Sequence, residues 1–381
     1  MKIATVGAWH VHTQEYAEAI QKNPKAQLCC LWDDNQERGQ AMAEKLGVPF
    51  QPDLDAIWAD PTIEGVQVTT ATNQHRDILL AAAKAGKHIF TEKVLALTNE
   101  DAEEIAQAVR ESGVKFTISY PHKTWPTLKA AKALVDSGKL GKITYARVHN
   151  YHDGSVRPQA DGSLGWLPPH FYDAAQTGGG AMMDLGAHPM YTLHWFLGEP
   201  KSIVSQFTEV THRGVEDNAV SVIEFEGGAI GVSETGFVTN GIPYVLEMNG
   251  TEGGLMVHNN ILEYTCEETG RKLVQVTDLP EKSTMPIDAW IDACCGEGEA
   301  PQRHRRRCGP DPADGGRLRV LPHPAEVPFP RRKIRLLPPP AERRAPLWPL
   351  PGEPGPCRSC AYCWRWPFPC PPERIRGPSP R

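Results

Sequence analysis

The first 120 residues alternate short apolar runs with longer amphipathic stretches, and this alternation constrains the fold more than any other feature. Five runs are rich in β-branched and aromatic residues and have the length of buried strands: KIATVG, AQLCCLWD, IEGVQVTT, KHIFTE and VKFTISY. Helical patterns such as DILLAAAKAG and DAEEIAQAVRESG lie between them. Strands that alternate with helices predict a parallel, doubly wound sheet.

Beyond Pro126 the strand and helix patterns no longer alternate. A helical stretch, LKAAKALVDSGKLG, leads to the strand pattern KITYARVHNY and a long polar loop. After a second helical stretch, several strand patterns follow one another: SIVSQFTEVTH, AVSVIEFEGG, AIGVSETGF, YVLEMNG and GLMVHN. Consecutive strands joined by glycine-rich turns predict a largely antiparallel sheet. We therefore expect an α/β protein, in which a Rossmann-like doubly wound parallel sheet precedes a second α/β domain with an open antiparallel sheet.

The composition changes abruptly near residue 300. Residues 301–381 hold 21 of the 35 prolines, and 16 Arg and one Lys there face six acidic residues, so this tail carries +11. Because the whole chain carries −6, the first 300 residues carry −17. A Pro/Arg-rich tract buries too little apolar surface to fold alone. We therefore divide the chain into a first domain over 1–122, a second domain over 123–300, and a tail over 301–381 that is disordered or translated out of frame.

Charge and hydropathy exclude several classes of partner. An acidic body argues against a specific nucleic-acid partner, and the chain has no run of eighteen apolar residues that could span a membrane. The first ten residues, MKIATVGAWH, lack the apolar region of a signal peptide. We therefore expect a cytoplasmic protein that acts on a small molecule.

The first strand pattern ends in Gly7, where a tight turn leads into a helical pattern. A dinucleotide fingerprint, GxGxxG, uses glycines to bring the backbone close to a pyrophosphate at a helix N-terminus. The first glycine is present, but Trp9 and His12 occupy the other two positions. The second strand pattern ends at Asp33, where a carboxylate can accept the ribose hydroxyls and repel a 2′-phosphate. This favours NAD over NADP; the alternative is an acid in a simple strand-end turn.

Glu92 and Lys93 follow the fourth strand pattern directly. In open parallel sheets, ligands bind beyond the carboxyl ends of the strands. A lysine at that edge can polarise an oxygen or share its proton, so Lys93 is a candidate catalytic group. The alternative is a solvent-exposed surface lysine.

The stretch GGGAMMDLGAHPMY, residues 178–191, combines three glycines with an apolar helical pattern and two polar groups. Buried charge is costly unless it is paired or used. Residues four apart on a helix share one face, so we expect Asp184 and His188 to point at a single spot, where an imidazole can take a hydroxyl proton. The glycines would let a substrate or cofactor approach the backbone. A capped helix with a hydrogen-bonded histidine is the alternative.

Four motifs within residues 1–300 resemble the glucose–fructose oxidoreductase / inositol dehydrogenase / MocA (Gfo/Idh/MocA) family. They are Thr70-Ala71-Thr72 with His75, then AGKHIFTEKVLA, SGKLGKI and GGGAMMDLGAHPM. The resemblance implies that the first domain binds NAD, and that the second binds substrate and forms oligomers. It also implies a catalytic Lys93 together with Asp184 and His188. The chain departs from the family in its eroded glycine fingerprint, in Val94 after the lysine instead of proline, and in Tyr191 where an aspartate often stands.

The motifs and the resemblance give two sets of candidate contacts. The expected cofactor contacts follow the first four strand patterns: Gly7, Trp9, His10, Val11, Asp33, Thr70, Thr72, His75, Glu92 and Lys93. The expected substrate contacts are polar and aromatic residues of the second domain: His149, Tyr151, His152, Trp166 and Tyr191. Residues 149–153 include types that can ligate a metal, but their spacing fixes no geometry. We predict no metal site.

Together these observations predict an NAD-dependent oxidoreductase that transfers a hydride between a secondary alcohol of a sugar or cyclic polyol and the nicotinamide. We expect His188 to take the hydroxyl proton, Lys93 to stabilise the alkoxide, and Asp184 to orient His188 or the substrate. One alternative is a glycoside hydrolase that uses NAD for transient oxidation; another is a non-catalytic NAD-binding regulator of the same fold. A homo-oligomer through the second-domain sheet is expected if the fold is complete.

Overall fold

The computed structural model describes residues 1–281 and 284–297. The tail over 301–381, for which the sequence predicts disorder or out-of-frame translation, lies outside these residues. Within the described ranges, no helix has both the length and the apolar character needed to cross a membrane.

The amino-terminal part of the chain forms a parallel sheet with helices between its strands, as predicted. The strands are β1 (Lys2–Val6), β2 (Gln27–Trp32), β3 (Gly65–Val68), β4 (His88–Thr91) and β5 (Phe116–Ile118). The helices are α1 (Thr13–Lys22), α2 (Gln36–Leu46), α3 (Leu54–Ala59), α4 (His75–Lys84) and α5 (Asn99–Ser112). In the described residues the five strands lie in the order β2-β1-β3-β4-β5 and all pair in parallel. The order reverses beside β1, which creates a crevice at the carboxyl ends of β1 and β3.

Local signals set the bounds of α5. The Thr98 side chain accepts a hydrogen bond from the Asp101 N–H and caps the first turn. Gly113 ends the helix with a φ of 70°, a left-handed conformation that favours glycine. Ala102, Ile105 and Ala106 are buried, so one face of α5 packs on the sheet.

The second part of the chain forms the predicted open sheet. Its strands are β6 (Ile143–Tyr151), β7 (Pro200–Thr208), β8 (Asn218–Phe225), β9 (Ile230–Gly236), β10 (Tyr244–Gly250), β11 (Gly254–His258), β12 (Ile261–Thr265) and β13 (Val274–Gln275). Three helices accompany it: α6 (Pro126–Asp136), α7 (Ala174–Thr177) and α8 (Ala187–Leu197). Across the described chain these strands lie in the order β13-β12-β11-β10-β6-β9-β8-β7. The β6–β9 pair is parallel and the other pairs are antiparallel.

One face of the second sheet is covered by α6 and α8, and the other is open. Ala146 and Val148 of β6 are fully buried in the same core as Leu193 of α8. Because side chains alternate along a strand, Arg147 and His149 lie on the opposite face. The two faces of this sheet therefore have different roles.

Helix α8 begins later than the sequence pattern predicted. Asp184 lies in a turn before the helix, where its N–H donates to the Gly180 carbonyl oxygen at 3.0 Å. His188 is the second residue of α8. The two side chains therefore do not share a helix face, and the spacing argument for a single helical site was wrong in this respect.

Helix α9 (Pro286–Cys294) packs against the first sheet although it follows the second sheet in sequence. Trp290 and Ile291 are fully buried in the core cluster that includes Phe90 of β4. The rings of Trp290 and Phe90 lie 5.9 Å apart. The sequence boundaries placed residues 286–294 in the second domain. We propose instead that they belong to the first domain.

Replacing Trp290 by Ala should lower the free energy of unfolding by about 3–5 kcal/mol, because it leaves a cavity under the first sheet. Urea unfolding followed by circular dichroism measures this change. The control is Leu273→Ala, since the Leu273 side chain is 55% exposed and its loss should cost less than about 0.5 kcal/mol. Equal stability of the two variants would contradict the packing of α9.

Candidate active site

Lys93 and Asp184 form a buried ion pair between the first sheet and the segment before α8. Lys93 follows β4 by two residues and is 5% exposed. Its Nζ pairs with Asp184 Oδ1 and also donates to the Asp184 main-chain oxygen at 3.0 Å. Burial alone would raise the pKa of Asp184, but the Lys93 ammonium outweighs it and holds that pKa below its usual value. The carboxylate is therefore ionised, and two of the predicted catalytic residues are in contact.

The glycine run is held by a carboxylate that the sequence analysis did not single out. Glu216 Oε2 accepts the Gly180 N–H at 2.8 Å, and Oε1 accepts the Met182 N–H at 3.0 Å. The Glu216 main-chain oxygen accepts the Ala181 N–H, and a Cβ on Gly180 would collide with that oxygen. Gly180 therefore admits the backbone of Glu216, and not a ligand as predicted. Glu216 lies 36 residues away in sequence and no local pattern marks it.

His188 is buried, and its contacts differ from those predicted. Its Nδ1 lies 2.9 Å from the Tyr191 hydroxyl oxygen. Burial first, and then the neighbouring His122 and Lys93, hold the pKa of His188 well below its usual value, so the imidazole is neutral near pH 7. Within the described chain Asp184 makes no hydrogen bond to His188, which corrects the predicted role of Asp184 in orienting it. Tyr191 is 2% exposed and its hydroxyl makes this internal contact, while its contact with substrate stays a prediction.

His122 is a further buried histidine beside His188, and sequence reasoning missed it. The two ring centroids lie 4.6 Å apart. The main-chain N–H of His122 donates to the Tyr191 hydroxyl oxygen at 3.2 Å. Burial and then the Lys93 charge lower the pKa of His122 to about 3. A signal was present, because His122 follows β5 and so lies beyond the carboxyl end of a parallel strand.

Glu92 is a buried carboxylate whose oxygens are fully engaged. Oε1 accepts the Tyr16 hydroxyl at 2.6 Å and lies 3.0 Å from His12 Nδ1, while Oε2 accepts the Lys93 N–H at 2.8 Å. Burial would raise the pKa of Glu92, but the charges of His10, His12 and Lys93 outweigh it and hold the pKa well below its usual value. Glu92, a predicted cofactor contact, therefore holds α1 and the backbone of Lys93.

His10, His12 and Glu92 offer ligand atoms that lie within 4.8 Å of one another. Histidine and carboxylate are zinc-ligand types. Each group already has a partner, since His10 Nδ1 accepts the His12 N–H at 3.2 Å and His12 Nδ1 bonds to Glu92. These hydrogen bonds explain the arrangement without a metal ion.

The turn after β1 has several features that a dinucleotide requires. Gly7 has a φ of 97°, and a Cβ there would lie 2.6 Å from the Thr70 nitrogen. Helix α1 has no side-chain cap from His12; the Thr13 N–H donates to the His10 carbonyl oxygen at 3.1 Å, and the N–H groups of Gln14 and Glu15, which have no acceptor among the described contacts, are open to an anion. In the described chain the buried atoms His10 Nε2 and Thr70 Oγ1 lack a hydrogen-bond partner. Unpaired buried polar atoms are expected where a ligand binds, and these residues fit NAD.

The side chain of Trp9 packs against the second domain and not into the turn where a cofactor would bind. The indole is buried and stacks on Phe171 with ring centroids 4.6 Å apart. Its Nε1 donates to Gln176 Oε1 at 2.7 Å, and its main-chain oxygen lies 2.9 Å from His170 Nε2. The predicted cofactor residue Trp9 instead ties the turn to the loop of the second domain.

Asp33 lies at the carboxyl end of β2 as predicted, but its carboxylate is shared. It accepts the Ala8 N–H at 2.5 Å and the Asn35 N–H at 2.7 Å, and it pairs with Arg38 at 2.7 Å. Arg38 also pairs with Asp34 at 2.6 Å. An arginine in this place can accommodate a 2′-phosphate. The Asp33 charge alone is therefore a weaker reason to favour NAD than the sequence suggested.

The remaining predicted cofactor residues differ in exposure. Val11 is 43% exposed on the turn, and Thr72 begins a short 3-10 turn. His75 is 1% exposed, and its Nδ1 donates to the Val94 main-chain oxygen at 2.9 Å. His75 therefore holds the segment after Lys93 and does not offer Nδ1 to a cofactor.

The predicted substrate residues divide between the two faces of the second sheet. His152 stacks on Phe237 and Trp166 with ring centroids 4.9 and 4.8 Å apart. Burial lowers the pKa of His152 below its usual value. The charge of the nearby Asp184 opposes this effect but does not outweigh it. His149 and Tyr151 instead lie on the open face, because side chains alternate along β6. Their predicted contact with substrate at this site is corrected.

Two family descriptions match successive parts of the chain. Residues 1–120 match "Oxidoreductase family, NAD-binding Rossmann fold". Residues 128–256 match "GFO/IDH/MocA C-terminal domain". Together the matches cover more than half of the chain.

Individual relatives and solved structures agree with these matches. The chain is 29% identical to 1,5-anhydro-D-fructose reductase of Ensifer adhaerens over 69% of its own length and 76% of the relative. It is 28% identical to scyllo-inositol 2-dehydrogenase (NAD(+)) of Bacillus subtilis over 68% and 73%. The structure of GenD2 from gentamicin A biosynthesis in complex with NAD superposes with a TM-score of 0.62, at 28% identity over 68% and 72%. Levoglucosan dehydrogenase with NADH and levoglucosan, at 20% identity over 79% and 92%, shares the fold with a TM-score of 0.68.

Replacing Glu92 by Gln should lower the pKa of His12. Burial lowers that pKa, but the hydrogen bond and charge of Glu92 outweigh it and raise the pKa above its usual value. The pair therefore stabilises the fold fully below about pH 6.5, the ordinary histidine pKa, and this contribution is lost as the pH rises through the folded-state pKa. NMR titration of the His12 imidazole measures the shift. Tyr16→Phe is the control, since it removes a hydrogen bond to the carboxylate but leaves its charge; an unchanged His12 pKa in E92Q would contradict the pairing.

Proposed function

This chain belongs to the Gfo/Idh/MocA family of NAD-binding oxidoreductases, and on that basis we propose that it is a dehydrogenase of a secondary alcohol in a neutral sugar or cyclic polyol. The observation that supports it most is the buried Lys93–Asp184 pair, which lies at the carboxyl edge of the NAD-binding sheet. His188 and His152 are close enough to this pair to be affected by the Lys93 charge. A cluster of this kind can polarise a substrate oxygen and move its proton.

The names of the relatives support this substrate class. They include an anhydrosugar reductase and an inositol dehydrogenase, which act on neutral polyhydroxylated rings. The described site has histidines and one ion-paired lysine near Asp184, and the first 300 residues are strongly acidic. Lys123, whose Nζ lies 5.9 Å from the Tyr191 ring centroid, is a second cation near the site, so the preference for a neutral substrate rests mainly on the names of the relatives.

Each side chain has a proposed task. NAD, when bound, takes a hydride from the substrate carbon or, in the reverse direction, returns it. Lys93 contacts the substrate oxygen and stabilises charge that develops on it. Asp184 holds Lys93 in place through the ion pair, while His188 gives the oxygen a second polar contact. His152 and Trp166 contact the sugar ring.

A panel of neutral sugars, cyclic polyols and glycosides tests this proposal against its rivals. Net formation of NADH with a free sugar or polyol supports a dehydrogenase. Cleavage of a glycoside without net NADH would instead support the glycoside hydrolase. NAD binding without turnover of any compound would support the regulator.

We also propose a cytoplasmic location and the domain limits given above, with α9 moved to the first domain. The cysteines within the described ranges are free thiols, as is usual in reducing compartments.

We propose further that two copies of the chain associate through the open face of the second sheet. Four apolar side chains on neighbouring strands lie there and are exposed: Val204 66%, Val220 37%, Val222 44% and Ile230 39%. The strand pairing places them side by side on the face opposite α8. An exposed apolar face of this kind is typical of an interface.

Replacing Val204 and Val222 by Lys should shift the protein from dimer or higher oligomer towards monomer. Two buried charges cost several kcal/mol in an apolar interface, whereas a monomer exposes them to water. Sedimentation velocity measures the mass. Leu273→Lys is the control, because its side chain is comparably exposed, at 55%, but it lies next to β13, at the end of the sheet opposite β7 and β8; a monomeric wild type would overturn the proposal.

Lys93→Met and His188→Ala should each lower kcat by about 10²-fold or more, the usual scale for a group that takes part in proton transfer. NAD affinity, measured by fluorescence titration, should change little. The control is Lys87→Met, which removes a buried lysine from the opposite end of β4, where it donates to the Asp60 and Ile63 main-chain oxygens. Full activity in either active-site variant would remove that residue from the mechanism.

A further inference from the structure

The Tyr191 hydroxyl lies between a fixed donor and an imidazole nitrogen. The main-chain N–H of His122, which can only donate, has its nitrogen 3.2 Å from the phenolic oxygen. His188 Nδ1 lies 2.9 Å from the same oxygen. A phenol has one proton to give, and His188 Nδ1 is the acceptor for it among the described contacts of this hydroxyl. The opposite arrangement, with Nδ1–H donating to the oxygen, would leave the proton of this buried hydroxyl without an acceptor among its described contacts, so the proton on Nδ1's side of the bond is assigned to Tyr191.

A neutral imidazole carries one hydrogen, on either Nδ1 or Nε2. His188 is neutral, because it is buried between the His122 ring and the charged Lys93. If Nδ1 accepts from Tyr191, the hydrogen of His188 must lie on Nε2. An aspartate at position 191 would impose the opposite tautomer, since a carboxylate can only accept and would require the hydrogen on Nδ1.

We infer that Tyr191 is a positioning residue that fixes His188 as the Nε2–H tautomer, so that His188 donates a hydrogen bond to the substrate oxygen and Lys93 exchanges the proton. This assignment rests on the proposed dehydrogenase function. It replaces the expectation from sequence that His188 is the base.

The proton balance follows from this tautomer. When the alcohol is oxidised, its carbon loses a hydride to the cofactor and its oxygen loses a proton. Nε2 of His188 already carries a hydrogen and has no lone pair in the ring plane to take that proton. For oxidation, the Lys93 ammonium of the ion pair first releases a proton to solvent; the resulting amine, beside Asp184, then accepts the hydroxyl proton and becomes the ammonium again. In reduction the Lys93 ammonium returns the proton to the alkoxide, and His188 donates its hydrogen bond in both directions.

The tautomer can be measured without any substrate. Two-dimensional ¹H–¹⁵N NMR of the full chain, labelled with ¹⁵N-histidine, distinguishes protonated from unprotonated ring nitrogens. The His188 signals are assigned by their loss in His188→Gln. We expect Nε2 to be protonated and Nδ1 to be bare in the wild type at neutral pH. A hydrogen on Nδ1 would overturn the inference.

Two tyrosine variants test the cause of this tautomer. Tyr191→Phe removes the hydroxyl, so the His188 spectrum should move towards a mixture of both tautomers. Tyr120→Phe is the matched control, because the Tyr120 ring lies 4.3 Å from the Tyr191 ring but its hydroxyl makes no described contact with His188. An unchanged spectrum in Y191F, or an equal change in Y120F, would show that Tyr191 does not set the tautomer.

A pair of His188 variants tests the chemical role. Glutamine keeps an N–H donor but is not a base, whereas alanine removes both. If His188 only donates, kcat in His188→Gln should stay within about tenfold of wild type, and His188→Ala should lose about 10²-fold or more. Equal loss in both would show that His188 takes the proton. If no compound of the panel is oxidised, the proposed function fails, while the NMR measurement still decides the tautomer.

Discussion

The buried ion pair between Lys93 and Asp184 is the interaction on which the site depends. Lys93 comes from the edge of the parallel sheet and Asp184 from the turn before α8, so the pair links the cofactor side to the substrate side. Removing one partner of such a pair costs about 3–5 kcal/mol, because the other charge is left buried and unpaired. The surrounding hydrogen bonds keep both partners in place: Glu92 holds the Lys93 backbone, and Glu216 holds the turn that carries Asp184.

Several carboxylates around the site hold its backbone in place through hydrogen bonds. Glu92, Glu216 and Asp33 each accept main-chain N–H groups in tight turns. At Glu92 the neighbouring positive charges and hydrogen bonds outweigh burial and hold the pKa of the carboxyl well below its usual value, so this carboxylate is ionised. In the proposed mechanism the residues that contact substrate are then histidines, Trp166 and Lys93. This division suits chemistry on uncharged hydroxyl groups.

Local signals predicted the fold well, and long-range packing limited the prediction of the site. Thr98 and Gly113 marked both ends of α5, and the strand patterns gave both sheets. The start of α8 was misplaced although Pro189, in its first turn, indicated a later beginning. Sequence could not show which face of β6 is covered, since that depends on α8 packing against it, so it could not separate His149 from His152 as candidate substrate contacts. Glu216 and α9 act across long separations in sequence, for which no local pattern exists.

The packing of Trp9 limits which substitutions position 9 tolerates. A glycine is the residue that the dinucleotide fingerprint specifies at position 9, yet here the indole is packed on Phe171 and bonded to Gln176. Substituting glycine would empty a space the size of a buried tryptophan, at a cost of about 3–5 kcal/mol, and would leave the Gln176 amide without its partner. The tryptophan and the loop of the second domain therefore depend on one another, and a return to glycine at position 9 would now destabilise the fold.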